Sequence, residues 1–417
     1  MNNSFSLEDD LDWLQISDDA IDESSDQDNE TGLFINTDKN DSFDESLKFS
    51  SCGTLQMKGL SQVFIKPTGI QQNTSKRKQE SPLLAMEDRL LFMHKVGNGS
   101  CGEVLKAVDI AESRVVAVKK ITLNDKSKRR QFIQELKSFL DPCNDVGDDE
   151  RNYLVAFFDA FSFSGSCAAG LIFEFMDCGS LDEIVKRGGC QNEKILSFVA
   201  YSCLRGIQEL HEKNKLHRDI KPSNVLLNSL GQVKLADFGL VSAMDKSDHA
   251  STFVGTTQFM SPERIRGEPY NRSSDIWSLG LTVLSAALGH YPLQSGFFEV
   301  VLRFKQSEEA QSIILNEPKF NKMSSTFQDF ILLCCRLDPS HRPDVNELLK
   351  HDFIGSNKDS ECLRNYLKMF QLSNDVQNIV ARIRDEIDEA VEHNDSKFEY
   401  KKLILEKCCT YFSQFLN

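Results

Sequence analysis

Within residues 216–240, four side chains have the types and spacing to do chemistry: Asp219, Lys221, Asn224 and Asp237. The stretch reads LHRDIKPSNVLLNSLGQVKLADFGL. Moving a γ-phosphoryl group onto a hydroxyl needs a carboxylate at the acceptor and oxygen ligands that hold Mg²⁺ on the phosphates. Asp219 suits the first role, and Asn224 and Asp237 the second. Lys221 can neutralise charge that builds on the γ-phosphate. Asp-Phe-Gly alone is a common turn tripeptide. H-R-D-x-x-x-x-N followed by D-F-G after a short strand is far more specific.

These groups need partners that hold a nucleotide over them. A strand over Leu90–Val96 runs into Gly97, Asn98, Gly99, Ser100, Cys101, Gly102, Glu103 and Val104. G-x-G-x-x-G by itself also suits a dinucleotide site. Here a strand follows it, not a helix, and Val116-Ala117-Val118-Lys119 comes 12 residues on. Glycines let the backbone approach phosphates without a Cβ in the way, and Lys119 is placed to meet the α- and β-phosphates. Val96 to Val104, with Ala117 and Lys119, form the expected nucleotide-binding set. Lys128–Leu140 shows helical periodicity in Phe132, Ile133, Leu136 and Phe139, and it carries Glu135, the expected partner of Lys119. Apolar runs at Leu154–Phe163 and Ala168–Met176 predict buried strands. The second ends in Phe173-Glu174-Phe175-Met176-Asp177-Cys178-Gly179-Ser180, which suits a linker between two lobes. Free backbone groups of Glu174 and Met176 are expected to meet an adenine edge there.

Composition bounds the rest of the chain. Residues 1–45 hold 15 Asp or Glu and one Lys, so nearly all of the net charge of −15 over 417 residues lies in that stretch. That acidity describes a tail and says little about the partners of the folded part. Residues 1–50 are expected to be disordered and 51–87 to be a linker. Leu7, Leu11 and Leu14 behind Ser6 have helical spacing, and Lys76-Arg77-Lys78 precedes Leu84-Ala85-Met86. A solvated tail and simple domain entry are preferred to docking peptides for these two patches. The 12 cysteines contain no C-x-x-C, and Cys334-Cys335 and Cys408-Cys409 are adjacent. Neighbouring cysteines rarely bridge, which points to reduced thiols in a cytoplasmic protein, with nuclear access open. No run approaches the 18 or so apolar residues of a membrane span, and no nucleic-acid role is expected. Residues 375–417 show two further helical patterns, read as a pair packed on the preceding domain.

Beyond Gly239 come a hydroxyl-rich loop over residues 240–256, then Ser261-Pro262-Glu263-Arg264, Asp275-Ile276-Trp277 and His341-Arg342-Pro343. Together with the glycine-rich loop, Lys119, His217-Arg218-Asp219 and Asp237-Phe238-Gly239, these resemble a protein kinase. The resemblance implies an α+β, bilobal fold with a small β-rich lobe and a larger helical lobe. It also implies a buried pair between Glu263 and Arg342, and use of ATP and Mg²⁺. Ser261–Arg264, Phe253-Val254-Gly255-Thr256 and Met176–Asp182 narrow the likeness to the MAP kinase kinases. It covers residues 88–354, about two thirds of the chain, between a tail at 1–87 and a helical extension at 355–417.

That family phosphorylates Thr and Tyr in the activation loop of a MAP kinase and is switched on by upstream kinases. The resemblance implies both partners for this chain. Lys221 and Pro222 favour serine/threonine chemistry, and tyrosine activity follows from the family alone. The activation loop is one residue longer than the usual animal pattern. Ser247 and Ser251 keep the S-x-x-x-S spacing, yet Thr252 directly precedes Phe-Val-Gly-Thr, so all three are phosphorylation candidates. Arg218, with Arg129 or Arg130, is the expected docking partner of the phosphate. A kinase-fold scaffold and a serine/threonine kinase with other substrates are the alternatives.

Overall fold

The structure, a computed structural model, describes residues 89–99, 102–109, 112, 114–124, 126–140, 153–163, 166–237, 257–292, 314–355 and 360–368, together with short strands at 33–34, 47–49, 55–57, 63–66, 69–72 and 242–243.

The small lobe is an antiparallel sheet of β1 (Leu90–Gly99), β2 (Gly102–Asp109), β3 (Arg114–Thr122), β4 (Phe157–Ser162) and β5 (Ala168–Glu174). Its spatial order is β1-β2-β3-β5-β4. Side chains alternate across a strand, and both faces of this sheet are apolar. Val116 and Val118 of β3 pack with Leu90, Ala107, Phe161 and Ile172 on one face. Ile121 lies on the other face, with Ala160, Ala169 and Leu171. Helix α1 (Lys126–Leu140) covers that second face with Phe132, Ile133 and Leu136. Burying each such side chain contributes roughly 1.5–3 kcal/mol. Lys119 has the same parity as Ile121, so it faces α1.

The large lobe is helical. Helix α2 (Leu181–Lys186) and helix α3 (Glu193–Glu212) pack with α4 (Ser273–Leu288) and α5 (Ser325–Cys334). Asn192 caps α3 by accepting from the Lys194 amide at 3.1 Å. Every residue of α4 from Ser274 to Leu288 is buried, as expected of the central helix in a lobe. Its buried hydroxyls on Ser278, Thr282 and Ser285 donate to carbonyls one turn back, at 3.1, 2.7 and 2.8 Å. Gly289 ends α4 at φ 78°, where a Cβ would stand 2.0 Å from the Gly188 carbonyl carbon. Only glycine serves at that crossing.

Glu263 and Arg342 form the expected pair, with bonds of 2.7 and 2.8 Å between buried groups. Arg342 also lies 5.1 Å over the Trp277 ring and donates to the Ser273 and Arg336 carbonyls. Burial pushes the Glu263 carboxyl up, but the Arg342 bonds and charge hold it below its ordinary value. A depressed carboxylate stabilises the fold above its unfolded pKa, and that contribution is lost as pH falls through the folded value. Arg342→Met leaves Glu263 buried and uncompensated, so it is expected to cost roughly 3–5 kcal/mol. Thermal unfolding of the two proteins at neutral pH checks this, and the gap should narrow in acid.

The structure departs from the sequence reading at the N-terminal side. Five short antiparallel strands lie at Leu33–Phe34, Leu47–Phe49, Leu55–Met57, Val63–Lys66 and Gly69–Gln72, in a tail and linker where none was expected. The acidity of residues 1–45 points to disorder, whereas Val63-Phe64-Ile65 is a β-forming run. That run pairs with Gly69–Gln72 across a two-residue connection. Past Phe353, a helix at Glu361–Lys368 buries Leu363 and Leu367 in the large-lobe core. The helical patterns of 375–417 and the Leu7–Leu14 patch lie outside the described residues. No described helix is long and apolar enough to cross a membrane.

Candidate active site

Three elements bring the site together. Lys119 comes from β3, Glu135 from α1, and Asp237 follows the short strand Val233–Leu235. Lys119 Nζ donates to Glu135 Oε1 at 2.7 Å and to Asp237 Oδ1 at 3.0 Å. One ammonium therefore ties the small lobe to the large one. Burial and the nearby Asp237 charge push the Glu135 carboxyl up, against the pull of Lys119. Burial also acts to raise Asp237, but Lys119 outweighs it, with Lys221 and His217 helping, and holds that carboxyl below its ordinary value.

Asp219, Lys221 and Asn224 form a second cluster. Lys221 Nζ donates to Asp219 Oδ2 at 2.8 Å. The Asn224 amide donates to the Asp219 carbonyl at 2.8 Å and to its Oδ2 at 3.0 Å. With its nitrogen engaged there, Asn224 keeps its side-chain oxygen as an acceptor. A carboxylate oxygen at Asp237 and an amide oxygen at Asn224 are hard donors that suit Mg²⁺. Two such donors fit an ion shared with phosphates, as Mg²⁺ is ordinarily bound.

Arg218 at φ 67° and Asp237 at φ 64° both occupy the left-handed region. For residues other than glycine this costs about 1–3 kcal/mol and persists only where the surroundings over-determine it. Asp275, buried on α4, supplies much of that constraint. Its oxygens accept from the amides of His217 at 3.0 Å and Arg218 at 2.9 Å, and one meets His211 Nε2 at 2.9 Å. Burial pushes Asp275 up, yet the bond and charge of His211, the charge of His217 and the Arg218 amide hold it low. His217 Nε2 lies 3.1 Å from the Ala236 carbonyl, next to Asp237. The sequence reading treated Asp275 and His217 as landmarks without a role. Nothing in their local sequence marks these roles, because their partners are not neighbours in the chain.

Above these clusters, β1 and β2 form a hairpin whose register pairs Gly97 with Val104, Asn98 with Glu103 and Gly99 with Gly102. Its tip, Ser100 and Cys101, lies outside the described residues. A Cβ on Gly102 would fall 1.9 Å from the Lys120 carbonyl oxygen, so the hairpin lies too close to β3 for any other residue. Val104 pairs with Lys119, and Lys106 with Ala117, which puts Val104, Ala117 and Lys119 on one face. Val96 is 44% exposed at the end of that hairpin.

In the hinge, one backbone group of Glu174 and one of Met176 are already engaged. The Glu174 amide is bonded to the Ala156 carbonyl at 2.9 Å, and the Met176 carbonyl accepts from the Gly179 amide at 3.2 Å. The groups left to face an adenine edge are the Glu174 carbonyl and the Met176 amide. The Glu174 carboxylate turns instead to Lys234, at 2.8 Å from both oxygens, and accepts from the Ala156 amide. Sixty residues separate this pair in the chain, and the sequence reading missed it.

The arginines expected to dock a phosphate also have occupations. The Arg218 guanidinium lies 5.4 Å over the Tyr270 ring. Arg129 donates to the Leu123 and Asn124 carbonyls. The Arg130 side chain and the candidates Ser247, Ser251 and Thr252 lie outside the described residues.

Residues 91–354 match the family model for the protein kinase domain. The chain is similar to a MAP kinase kinase of Saccharomyces cerevisiae, at 37% identity over 64% of this chain and 54% of the relative. It is 39% identical to mitogen-activated protein kinase kinase 1c of Physcomitrium patens, over 59% of this chain and 70% of that one. It is 33% identical to a dual specificity mitogen-activated protein kinase kinase of Drosophila melanogaster, over 69% of this chain and 78% of that one. The chain thus spans about half the length of the yeast relative and over two thirds of the other two.

Proposed function

Because this chain belongs to the protein kinase family and, within it, to the MAP kinase kinases, we propose that it transfers the γ-phosphate of ATP to Thr and Tyr in the activation loop of a MAP kinase. The observation that carries the phosphoryl-transfer part is Lys119 within hydrogen-bonding distance of both Glu135 and Asp237. That contact assembles groups from both lobes in the arrangement that phosphoryl transfer requires. The relatives' names supply the acceptor.

In this reading Asp219 takes the proton of the acceptor hydroxyl, and Lys221 sits beside it to offset charge growing on the γ-phosphate. Lys119, oriented by Glu135, meets the α- and β-phosphates. The backbone of Val96–Val104 lies over the phosphates, and the Glu174 carbonyl and Met176 amide take the adenine edge. Asp237 and Asn224 would hold Mg²⁺, which supplies charge neutralisation on the phosphates when bound. The described cysteines are all free thiols, which supports a cytoplasmic setting.

The test is to incubate the activated full chain with candidate MAP kinases and read Thr and Tyr phosphorylation separately. Labelling on both residues of one of them, abolished by Asp219→Asn, is the expected result. Labelling of unrelated proteins with no MAP kinase modified would overturn the substrate assignment.

The same reading places an activating phosphate on Ser251 or Thr252, with Ser247 third. A phosphate adds about −1.5 to −2 charge and three acceptor oxygens. Asp245 and Asp248 repel that charge locally, which favours docking on a cation elsewhere. Arg218, beside the catalytic aspartate, is the cation expected to receive the phosphate. Replacing Ser247, Ser251 and Thr252 with Ala is expected to leave basal activity and remove activation by an upstream kinase. Full activation of the triple variant would refute the switch.

A further inference from the structure

Of the four residues Ser261-Pro262-Glu263-Arg264, the reading above uses Glu263 and leaves Arg264 without a task. In the structure Arg264 Nη1 donates to the carbonyl oxygen of Arg218 at 2.6 Å, across 46 residues of chain. That carbonyl belongs to the peptide joining Arg218 to Asp219. The Arg264 guanidinium lies 5.2 Å over the Tyr270 ring, the same ring that Arg218 lies against.

The turn at Arg218 is strained, so its shape depends on outside contacts. Asp275 takes the amides of His217 and Arg218. Arg264 takes the carbonyl of Arg218. Three successive peptide planes are thereby held, and the last sets the direction in which Asp219 leaves the turn. Arg264 can fix that plane because its own backbone is fixed. It sits in the short helix Pro262–Ile265, and its neighbour Glu263 is locked to Arg342 in the buried pair. A guanidinium can stack flat on a tyrosine ring while donating from its edge, whereas an ammonium cannot do both.

We propose that Arg264 is a positioning residue for Asp219, through which the end of the activation segment supports the catalytic loop. The link gives the segment a direct mechanical route to the catalytic carboxylate. The inference rests on the phosphoryl-transfer reading of Asp219 and on no particular acceptor.

The experiment uses the full chain and compares Arg264→Ala and Arg264→Lys with the unaltered protein. It measures kcat and the KM for Mg-ATP, both with a MAP kinase acceptor and for hydrolysis to water, and thermal unfolding beside them. The expected result for Arg264→Ala is a kcat lower by roughly 10- to 100-fold, the scale of a displaced catalytic group. Its KM for Mg-ATP should stay within about twofold of the original. Arg264→Lys should recover part of the loss at most, and millimolar guanidinium should restore part of the Arg264→Ala rate. An unchanged kcat in Arg264→Ala overturns the proposal. So does a parallel loss of kcat, nucleotide binding and thermal stability, which a purely structural residue would give. Should Arg264→Ala fail to fold, a wild-type kcat in Arg264→Lys overturns it equally. Asp219→Asn is run in the same assays. If it keeps the original rate, the reading of Asp219 fails, independently of what Arg264 does.

Discussion

Asp219→Asn is expected to lose about 10²–10⁴-fold of turnover, the usual contribution of a positioned acid–base group. Mg-ATP binding should stay near its original strength. The substitution keeps the size and shape of the side chain. The Asn224 bond to the Asp219 carbonyl at 2.8 Å is made to backbone and survives. An amide cannot take the acceptor's proton, and Lys221 loses its charged partner at 2.8 Å. The nucleotide-facing groups, Lys119 and Asp237, are untouched. Rates at saturating ATP, with calorimetric binding of Mg-ATP beside them, separate the two effects. Near-normal turnover would refute the assignment of Asp219.

Asp237→Asn acts on binding more than on proton transfer. At present Asp237 is held ionised below its ordinary range, chiefly because Lys119 outweighs the effect of burial. Removing its charge weakens one of the two expected Mg²⁺ ligands and takes away one of the two carboxylates around Lys119. Mg-ATP affinity is expected to fall by at least tenfold, about 1.4 kcal/mol. Adenosine, which needs no metal, should bind within about twofold of the original. Calorimetric titration with each ligand checks this. An equal loss for both would point to a disturbed fold or to a metal held elsewhere.

Much of the site was legible because phosphoryl transfer demands particular side chains at short spacing. Asp219, Lys221 and Asn224 lie within one turn of chain, so their mutual contacts are nearly local. Lys119 and Glu135 were legible as a pair because a lysine in that place requires a carboxylate partner, and the two are found 2.7 Å apart. Glu263 with Arg342 was read through resemblance, 79 residues apart, and is found buried and bidentate.

The parts missed share a physical cause. Asp275, Arg264 and the Glu174–Lys234 pair do their work through contacts across 46 to 64 residues of chain, several of them with backbone atoms. A backbone carbonyl or amide is the same at every position, so sequence carries no sign of which one a distant side chain will seek. The N-terminal strands were missed for another reason. Strand pairing depends on which segment lies alongside, and a strongly acidic composition pointed towards disorder.

The sequence by itself pointed to phosphoryl-transfer chemistry and a phosphate-binding loop through residue type at fixed spacing, and to the two-lobed division and the family through the resemblance those motifs carry. Tertiary structure decided how the catalytic turn is held. Arg218 has a left-handed backbone where Asp275, on α4, accepts two amides and Arg264, at the end of the activation segment, donates to the carbonyl. That strained geometry is affordable only where packing presents several partners at once, and no local stretch of chain supplies them.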